Sequence, residues 1–375
     1  MSKKRVALLG ATGSIGTSTL EVLRLHRERF ELFAISFHSN VEKASKIVDE
    51  FHPEYVVSTS NKKLEFENQL FGIEGLKTVA HEADIVVVAT GGIVGVFPTI
   101  EALKAGKRVA LANKETLVSF GNIVKDVLRN SNGEIIPVDS EHSAIFQLLD
   151  GRRKEVKNIY ITASGGPFRA KPVEELQKVR PEDALKHPTW SMGQKITIDS
   201  ATMINKGLEI IEAYHLFDVS PERIKVVVHP QSIIHGMVEL VDGAFIAHLS
   251  TPDMKIPIQY ALTYPERLSS PAKTFNPFEI SQLIFEKPDF EKFPGLKLAY
   301  DVLNEGREYP AIFNAANEEA VFMFLRGRIK FTEIPEIIRR VLENNPGFDP
   351  ETLDGLLEAD QWARQEAKRQ AERLT

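Results

Sequence analysis

The chain has 375 residues, of which 43% are apolar and 26% charged, with a formal net charge of −6 at pH 7. That length exceeds what one core supports and implies two or three domains, and the acidic balance with dispersed Lys and Arg gives nucleic acid or an anionic membrane no electrostatic foothold. Cysteine is absent, which excludes disulfides, thiolate nucleophiles and Cys-bound zinc or iron–sulfur centres.

At the N-terminus, Met1-Ser2-Lys3-Lys4-Arg5 leads into only a short apolar run, Val6–Leu9, before Gly10, too little for a signal-peptide core. The longest uncharged stretch, Ile85–Ile100, is broken by glycines and falls short of the ~20 residues that span a bilayer. A cytoplasmic protein is the expectation. Up to Asp139, the β-branched runs Val6–Leu9, Leu32–Phe37, Tyr55–Ser58, Ile85–Ala89, Val109–Ala112 and Ile135–Val138 alternate with helical spacing, as in Thr17–Leu25 and Val41–Phe51. Apolar runs separated by helices predict a doubly wound, Rossmann-type parallel sheet over residues 1–139.

Residues 140–264 change character. Ile159–Ala163, Val226–His229, Ile233–Leu240 and Phe245–Leu249 read as strands, with Asp242-Gly243 as a hairpin turn. An α+β domain with a partly antiparallel sheet follows, its free face suited to a homodimer interface or to a helix layer. Pro265, Pro271, Pro277, Pro288 and Pro294 mark residues 265–294 as an extended linker. Residues 295–375 read as a helical domain, with helices over Leu296–Asn304, Ala311–Leu325, Ile334–Leu342 and Leu353–Leu374.

Gly10-Ala11-Thr12-Gly13-Ser14-Ile15-Gly16 falls at the first strand-to-helix turn, where glycines let the backbone approach a pyrophosphate and free helix N–H groups meet it. The second strand ends Ser36-Phe37-His38-Ser39-Asn40, without the acid that would hold an NAD ribose, which favours NADP; without an arginine either, its 2′-phosphate falls to His38, Ser39 and Asn40. Thioester-forming reductases are excluded for want of cysteine. Short-chain reductases need Tyr-x-x-x-Lys, and none of the seven tyrosines fits.

Val138-Asp139-Ser140-Glu141-His142 closes the sixth strand, and strand alternation would aim Asp139 and Glu141 the same way, as a cation site or as a solvated acidic turn. In Asp199-Ser200-Ala201-Thr202-Met203-Ile204-Asn205-Lys206-Gly207-Leu208-Glu209, helical spacing puts Asn205, Lys206 and Glu209 on one face, with Asp199 or Ser200 as the expected N-cap beside a phosphate. Ser164-Gly165-Gly166-Pro167-Phe168 reads as an anion-binding turn or a plain loop. The segment His187-Pro188-Thr189-Trp190-Ser191-Met192-Gly193 reads as a lid or a packed structural loop.

These blocks, with Ala112-Asn113-Lys114-Glu115 and His229-Pro230-Gln231-Ser232, run in an order that resembles the 1-deoxy-D-xylulose 5-phosphate reductoisomerase family across essentially the whole chain. The His38-Ser39 pair departs from it, where many relatives carry glycine and a basic residue. The resemblance implies NADPH-dependent rearrangement and reduction of a sugar phosphate to 2-C-methyl-D-erythritol 4-phosphate, for isoprenoid precursors. It assigns Asp139, Glu141 and Glu209 to Mg²⁺ or Mn²⁺ (with Co²⁺ a further fit), Lys114 to an electrostatic role between metal, substrate and nicotinamide, and Ser140 to a substrate hydroxyl. Ser164, Ser200, Asn205 and Lys206 would take the phosphate, with His187 as a catalytic and substrate residue on the lid. Thr12, Gly13, Ser14, Ile15, Asn40, Asn113, Glu115 and Gly193 would contact the dinucleotide. The rivals are a two-domain NADP dehydrogenase without rearrangement, which has less need of a metal, and a catalytically silent dinucleotide sensor.

Overall fold

The computed structural model describes residues 2–187, 190 and 192–374. In chain order the first elements are β1 (Lys4–Leu9), α1 (Ser14–Leu25), β2 (Phe30–Phe37), α2 (Val41–Phe51), β3 (Tyr55–Ser58), β4 (Gln69–Phe71), α3 (Gly72–Glu82), β5 (Ile85–Val88), α4 (Val96–Lys104), β6 (Arg108–Leu111), α5 (Lys114–Arg129), β7 (Glu134–Pro137) and α6 (Ser140–Leu149). Their strands form one seven-stranded sheet in the order β4-β3-β2-β1-β5-β6-β7, parallel throughout. The strand order reverses direction between β1 and β5, the point where a doubly wound sheet opens its crevice. Val6–Leu9 and Ile85–Val88 are at most 1% exposed, so both faces of the sheet are covered, and each such side chain contributes about 1.5–3 kcal/mol of burial. β4 is the strand that the sequence does not announce: three residues, none of them buried.

Beyond these come β8 (Val156–Ala163), α7 (Pro181–Ala184), α8 (Gln194–Ala201), α9 (Ile204–Phe217), β9 (Ile224–Val228), β10 (Ile234–Leu240), β11 (Phe245–Leu249), α10 (Lys255–Thr263), α11 (Pro294–Glu305), α12 (Tyr309–Leu325), α13 (Glu333–Glu343) and α14 (Leu353–Glu372). Strands β11-β10-β8-β9 make a second sheet in that order, antiparallel except for the β8–β9 pair. The expected hairpin is present: Gly243 adopts φ +88°, and Asp242 Oδ1 accepts from the Ala244 N–H at 3.0 Å. Among the described residues no helix is long and apolar enough to cross a membrane.

The chain divides into two compact units, one of Met1–Thr116, Val124–Phe146 and Asp253–Phe275, the other of Leu117–Ile123, Gln147–Pro252 and Asn276–Thr375. The division differs from boundaries at 139, 264 and 294 in three ways. α10 belongs to the first unit, because its Ile258, Ala261 and Leu262 enter the same core as Val6, Val87 and Ile136. The Pro-rich stretch is shared, and its later part is tied to the second unit: Val228 and Glu286 exchange backbone hydrogen bonds at 2.9 Å, and Arg169 pairs with the Glu286 carboxylate at 2.5 Å. The C-terminal helices lie within that second unit rather than standing as a domain of their own.

Candidate active site

In the first unit the glycine-rich turn links β1 to α1. Gly10 sits at φ +91°, and a Cβ there would lie 2.4 Å from the Ala89 carbonyl oxygen; one on Gly16 would lie 2.4 Å from the Ala11 oxygen. Only glycine fits either position. Gly13 precedes α1 without a side-chain cap, so the first N–H groups of the helix, from Ser14, Ile15 and Gly16, have no side-chain acceptor there and suit an anion. Ser36 Oγ accepts from the Gly10 N–H at 2.8 Å. Lys43, which nothing in the sequence singled out, donates to Thr12 O at 3.0 Å and to Thr17 Oγ1 at 2.6 Å. Asn40 caps α2, its Oδ1 accepting from the Lys43 N–H at 3.0 Å.

Asn113 is 2% exposed and caps α5: its Oδ1 accepts from the Thr116 N–H at 2.9 Å and from the Thr116 hydroxyl at 2.5 Å. Its Nδ2 reaches Thr90 O, Gly92 O and Glu115 Oε2 at 2.9, 2.8 and 2.9 Å. Lys114 opens the helix with its Nζ 2.5 Å from Asp139 Oδ2, the two side chains 11% and 17% exposed. Asp139 does not project from a strand as alternation would have it. β7 stops at Pro137, and Asp139 Oδ1 accepts from the N–H groups of Glu141 and His142 at 3.1 and 3.3 Å. It therefore caps α6, and Glu141 lies in that helix's first turn, where the dipole favours a carboxylate. The Ser140 hydroxyl donates to Glu141 Oε2 at 2.6 Å.

In the second unit, three expected phosphate ligands cluster. His187 Nε2 lies 3.1 Å from Ser164 Oγ and 3.1 Å from Ser200 Oγ, while its Nδ1 accepts from the Trp190 N–H at 2.9 Å. With Nδ1 accepting, the ring hydrogen sits on Nε2 and is shared by the two serines. Burial holds the His187 pKa below the usual histidine value. Gly165 and Gly166 adopt φ +82° and +67°, and a Cβ on Gly166 would lie 2.6 Å from the Ser200 carbonyl. Pro188, Thr189 and Ser191 of the expected lid lie outside the described residues. Gly193 precedes α8 and is exposed, and a Cβ added there would meet nothing within 4 Å.

Asp199 and Ser200 lie in the last turn of α8, not at a helix start, and Met203 at φ 62° takes the cap position of α9 without a side-chain bond. The expected cap fails because Asp199 is engaged elsewhere: it is 1% exposed, accepts from Asn317 Nδ2 at 2.9 Å and pairs with Lys195 at 2.9 Å. On α9, Asn205 Nδ2 and Lys206 Nζ each lie 2.5 Å from a different oxygen of Glu209. Lys206 and Glu209 are 4% and 1% exposed, as are Leu208 and Ile211 at 0%; the helix is buried on more than its apolar face, so the trio is no solvated ion-pair surface. Asn205 Oδ1 is buried without a hydrogen-bond partner.

Comparison with known proteins covers the segments that carry these residues. Residues 6–121 match the 1-deoxy-D-xylulose 5-phosphate reductoisomerase family, 135–217 its C-terminal domain, and 249–366 the DXP reductoisomerase C-terminal domain. The 1-deoxy-D-xylulose 5-phosphate reductoisomerase of Chlorobium phaeovibrioides is 51% identical over 97% of this chain and 98% of its own; that of Clostridium perfringens is 50% identical over 96% and 98%. Among solved structures, the Zymomonas mobilis enzyme in complex with NADPH superposes with a TM-score of 0.92 at 39% identity, covering 99% of this chain and 100% of that one. A DOX-P reductoisomerase in complex with NADPH, fosmidomycin and magnesium gives 0.94 at 39% identity, covering 99% of both. With identity this high along the full length of both partners, the chain belongs to the 1-deoxy-D-xylulose 5-phosphate reductoisomerase family.

Proposed function

We propose that the chain isomerises and reduces 1-deoxy-D-xylulose 5-phosphate to 2-C-methyl-D-erythritol 4-phosphate, using NADPH and a divalent cation held by Asp139, Glu141 and Glu209. What carries the metal assignment is an all-oxygen set of carboxylates, two of them already beside a lysine ammonium. Such donors suit Mg²⁺ or Mn²⁺, with Co²⁺ a further fit, rather than zinc. The orphaned Asn205 Oδ1, on the helix that carries Glu209, also fits a site awaiting a ligand. When bound, the cation polarises the substrate ketone and NADPH supplies the hydride.

The chain's own residues bind and orient. The N–H groups of Thr12, Ser14 and Ile15 receive the cofactor pyrophosphate, which approaches over Gly13, whose own N–H donates to Gly10 O at 3.1 Å, with Asn40 and Gly193 lining its path. Asn113 and Glu115 act by holding the turn before α5, since their side chains bond each other. Lys114 presents an ammonium to the reacting oxygens, and Ser140 holds a substrate hydroxyl. Ser164, Ser200, Asn205 and Lys206 take the phosphate, with the His187 Nε2–H turning from the serines to the anion. Sugar-phosphate charge and helix-borne donors match.

The half-exposed face of the second sheet, where Tyr160 and Phe245 lie with ring centroids 5.4 Å apart and Phe245 is 55% exposed, supports a homodimer. The test is NADPH absorbance with deoxyxylulose phosphate, with and without Mg²⁺, and product carbon connectivity by NMR. An unrearranged carbon skeleton in the product would return the chain to a plain dehydrogenase; cofactor binding without any oxidation would make it a sensor.

A further inference from the structure

The end of β2 is where the adenosine ribose of a dinucleotide is read in this architecture, and here it carries His38 with neither an acid nor an arginine in Ser36–Asn40. The lysine that follows, Lys43, is committed to Thr12 and Thr17 on the glycine-rich turn. Positive charge for a 2′-phosphate must therefore come from His38 or from the neighbouring loop.

That neighbouring loop grips His38. Beyond β3, the Thr59 N–H and hydroxyl both donate to Phe37 O, at 3.0 and 3.2 Å. His38 Nδ1 lies 3.0 Å from the Thr59 hydroxyl oxygen, and the Ser60 hydroxyl donates to His38 O. Thr59 has one hydroxyl hydrogen, and Phe37 O takes it. Its oxygen is then an acceptor, so the hydrogen in the bond to the ring belongs to His38 Nδ1. The ring is oriented through Nδ1, and the exposed imidazole meets a ligand through Nε2; its doubly protonated form offers a phosphate dianion an N–H and a positive charge together.

We propose that Thr59 is a specificity-determining residue for the cofactor: by anchoring His38 through Nδ1 it aims Nε2 at the 2′-phosphate, so that NADPH selectivity in this chain is set by a hydroxyl just beyond β3, the strand next to the one that usually sets it. The proposal rests on the NADPH reading, and wild-type turnover with NADPH tests that reading separately. The readout is the ratio of kcat/KM with NADPH to kcat/KM with NADH in the full-length enzyme.

Thr59→Val keeps the branched shape and removes the hydroxyl, and should lower the ratio about tenfold, the size of one misdirected charge-assisted hydrogen bond. Thr59→Ser keeps the hydroxyl and should hold the ratio near wild type. His38→Asn, at an exposed position that needs no packing, should lower it as Thr59→Val does. An unchanged ratio in Thr59→Val or in His38→Asn overturns the proposal, as does an equal fall in Thr59→Val and Thr59→Ser.

Discussion

Replacing Glu209 by Gln separates what that carboxylate does for the fold from what it does for the reaction. The side chain is isosteric, so packing is kept, but Lys206 is left with its side chain 5% exposed beside an amide in place of a carboxylate 2.5 Å away. Breaking a buried pair by removing one partner costs about 3–5 kcal/mol, because the surviving charge is stranded. The neutral double variant Glu209→Gln/Lys206→Met removes that penalty and should regain most of the stability. Activity should not follow. With one of three metal carboxylates gone, kcat should fall by more than the roughly 10–100-fold that outer-shell partners cost, in the single and the double variant alike, and higher Mg²⁺ should be needed for what remains. The assays are denaturant melts of the apo-protein and NADPH oxidation across a Mg²⁺ series. Wild-type turnover in Glu209→Gln at unchanged Mg²⁺ would refute the ligand role. A double variant no more stable than the single would refute the stranded-charge account.

Three further outcomes are expected. Because burial lowers the His187 pKa, the folded state resists protonating it; its contribution is full above the ordinary histidine value near 6.5 and erodes as pH falls from there towards the depressed folded value, so the wild type should lose more Tm than His187→Gln on that acid limb, and equal losses would count against it. Gly16→Ala forces a Cβ to 2.4 Å from the Ala11 oxygen; it should cost about 1–3 kcal/mol of stability from overpacking and weaken NADPH binding by titration, and unchanged binding would remove the turn from the cofactor site. Phe245→Glu, on the open sheet face, should shift sedimentation from dimer to monomer if that face is the interface, and a variant that sediments as the wild type does would leave the dimer to another surface.

How much of the fold and site is legible in the sequence depends on where each residue's partners lie in the chain. Val6–Leu9 and Ile85–Val88 announce themselves because a strand covered on both faces is apolar at every position. β4 has no such run, and its place comes only from pairing with β3. α10 went unread in the sequence, and nothing local says that Ile258 and Leu262 will cover the first sheet. The site blocks are legible as residue types at set spacings, and Asn205, Lys206 and Glu209 meet on α9 as i, i+3 and i, i+4 neighbours should. Asp199 passes for a cap in the sequence because its true partner, Asn317, lies 118 residues away. For Asp139 and Glu141 strand alternation gives the wrong backbone, since a capping aspartate follows the end of the strand that was to aim them. Thr59 gives no signal, because its importance arises only once β3 lies beside β2.

One small feature reaches further than its size suggests. The Asn113 amide oxygen accepts twice from Thr116, and its two amide hydrogens are shared among the Thr90, Gly92 and Glu115 oxygens, leaving no lone pair or hydrogen idle. Lys114 is the next residue, so its Cα inherits the rigidity of that knot, and its ammonium is fixed at the other end by the Asp139 carboxylate 2.5 Å away. Losing the Asn113 amide would thus strand several buried partners and mis-aim the charge that follows it at the same time.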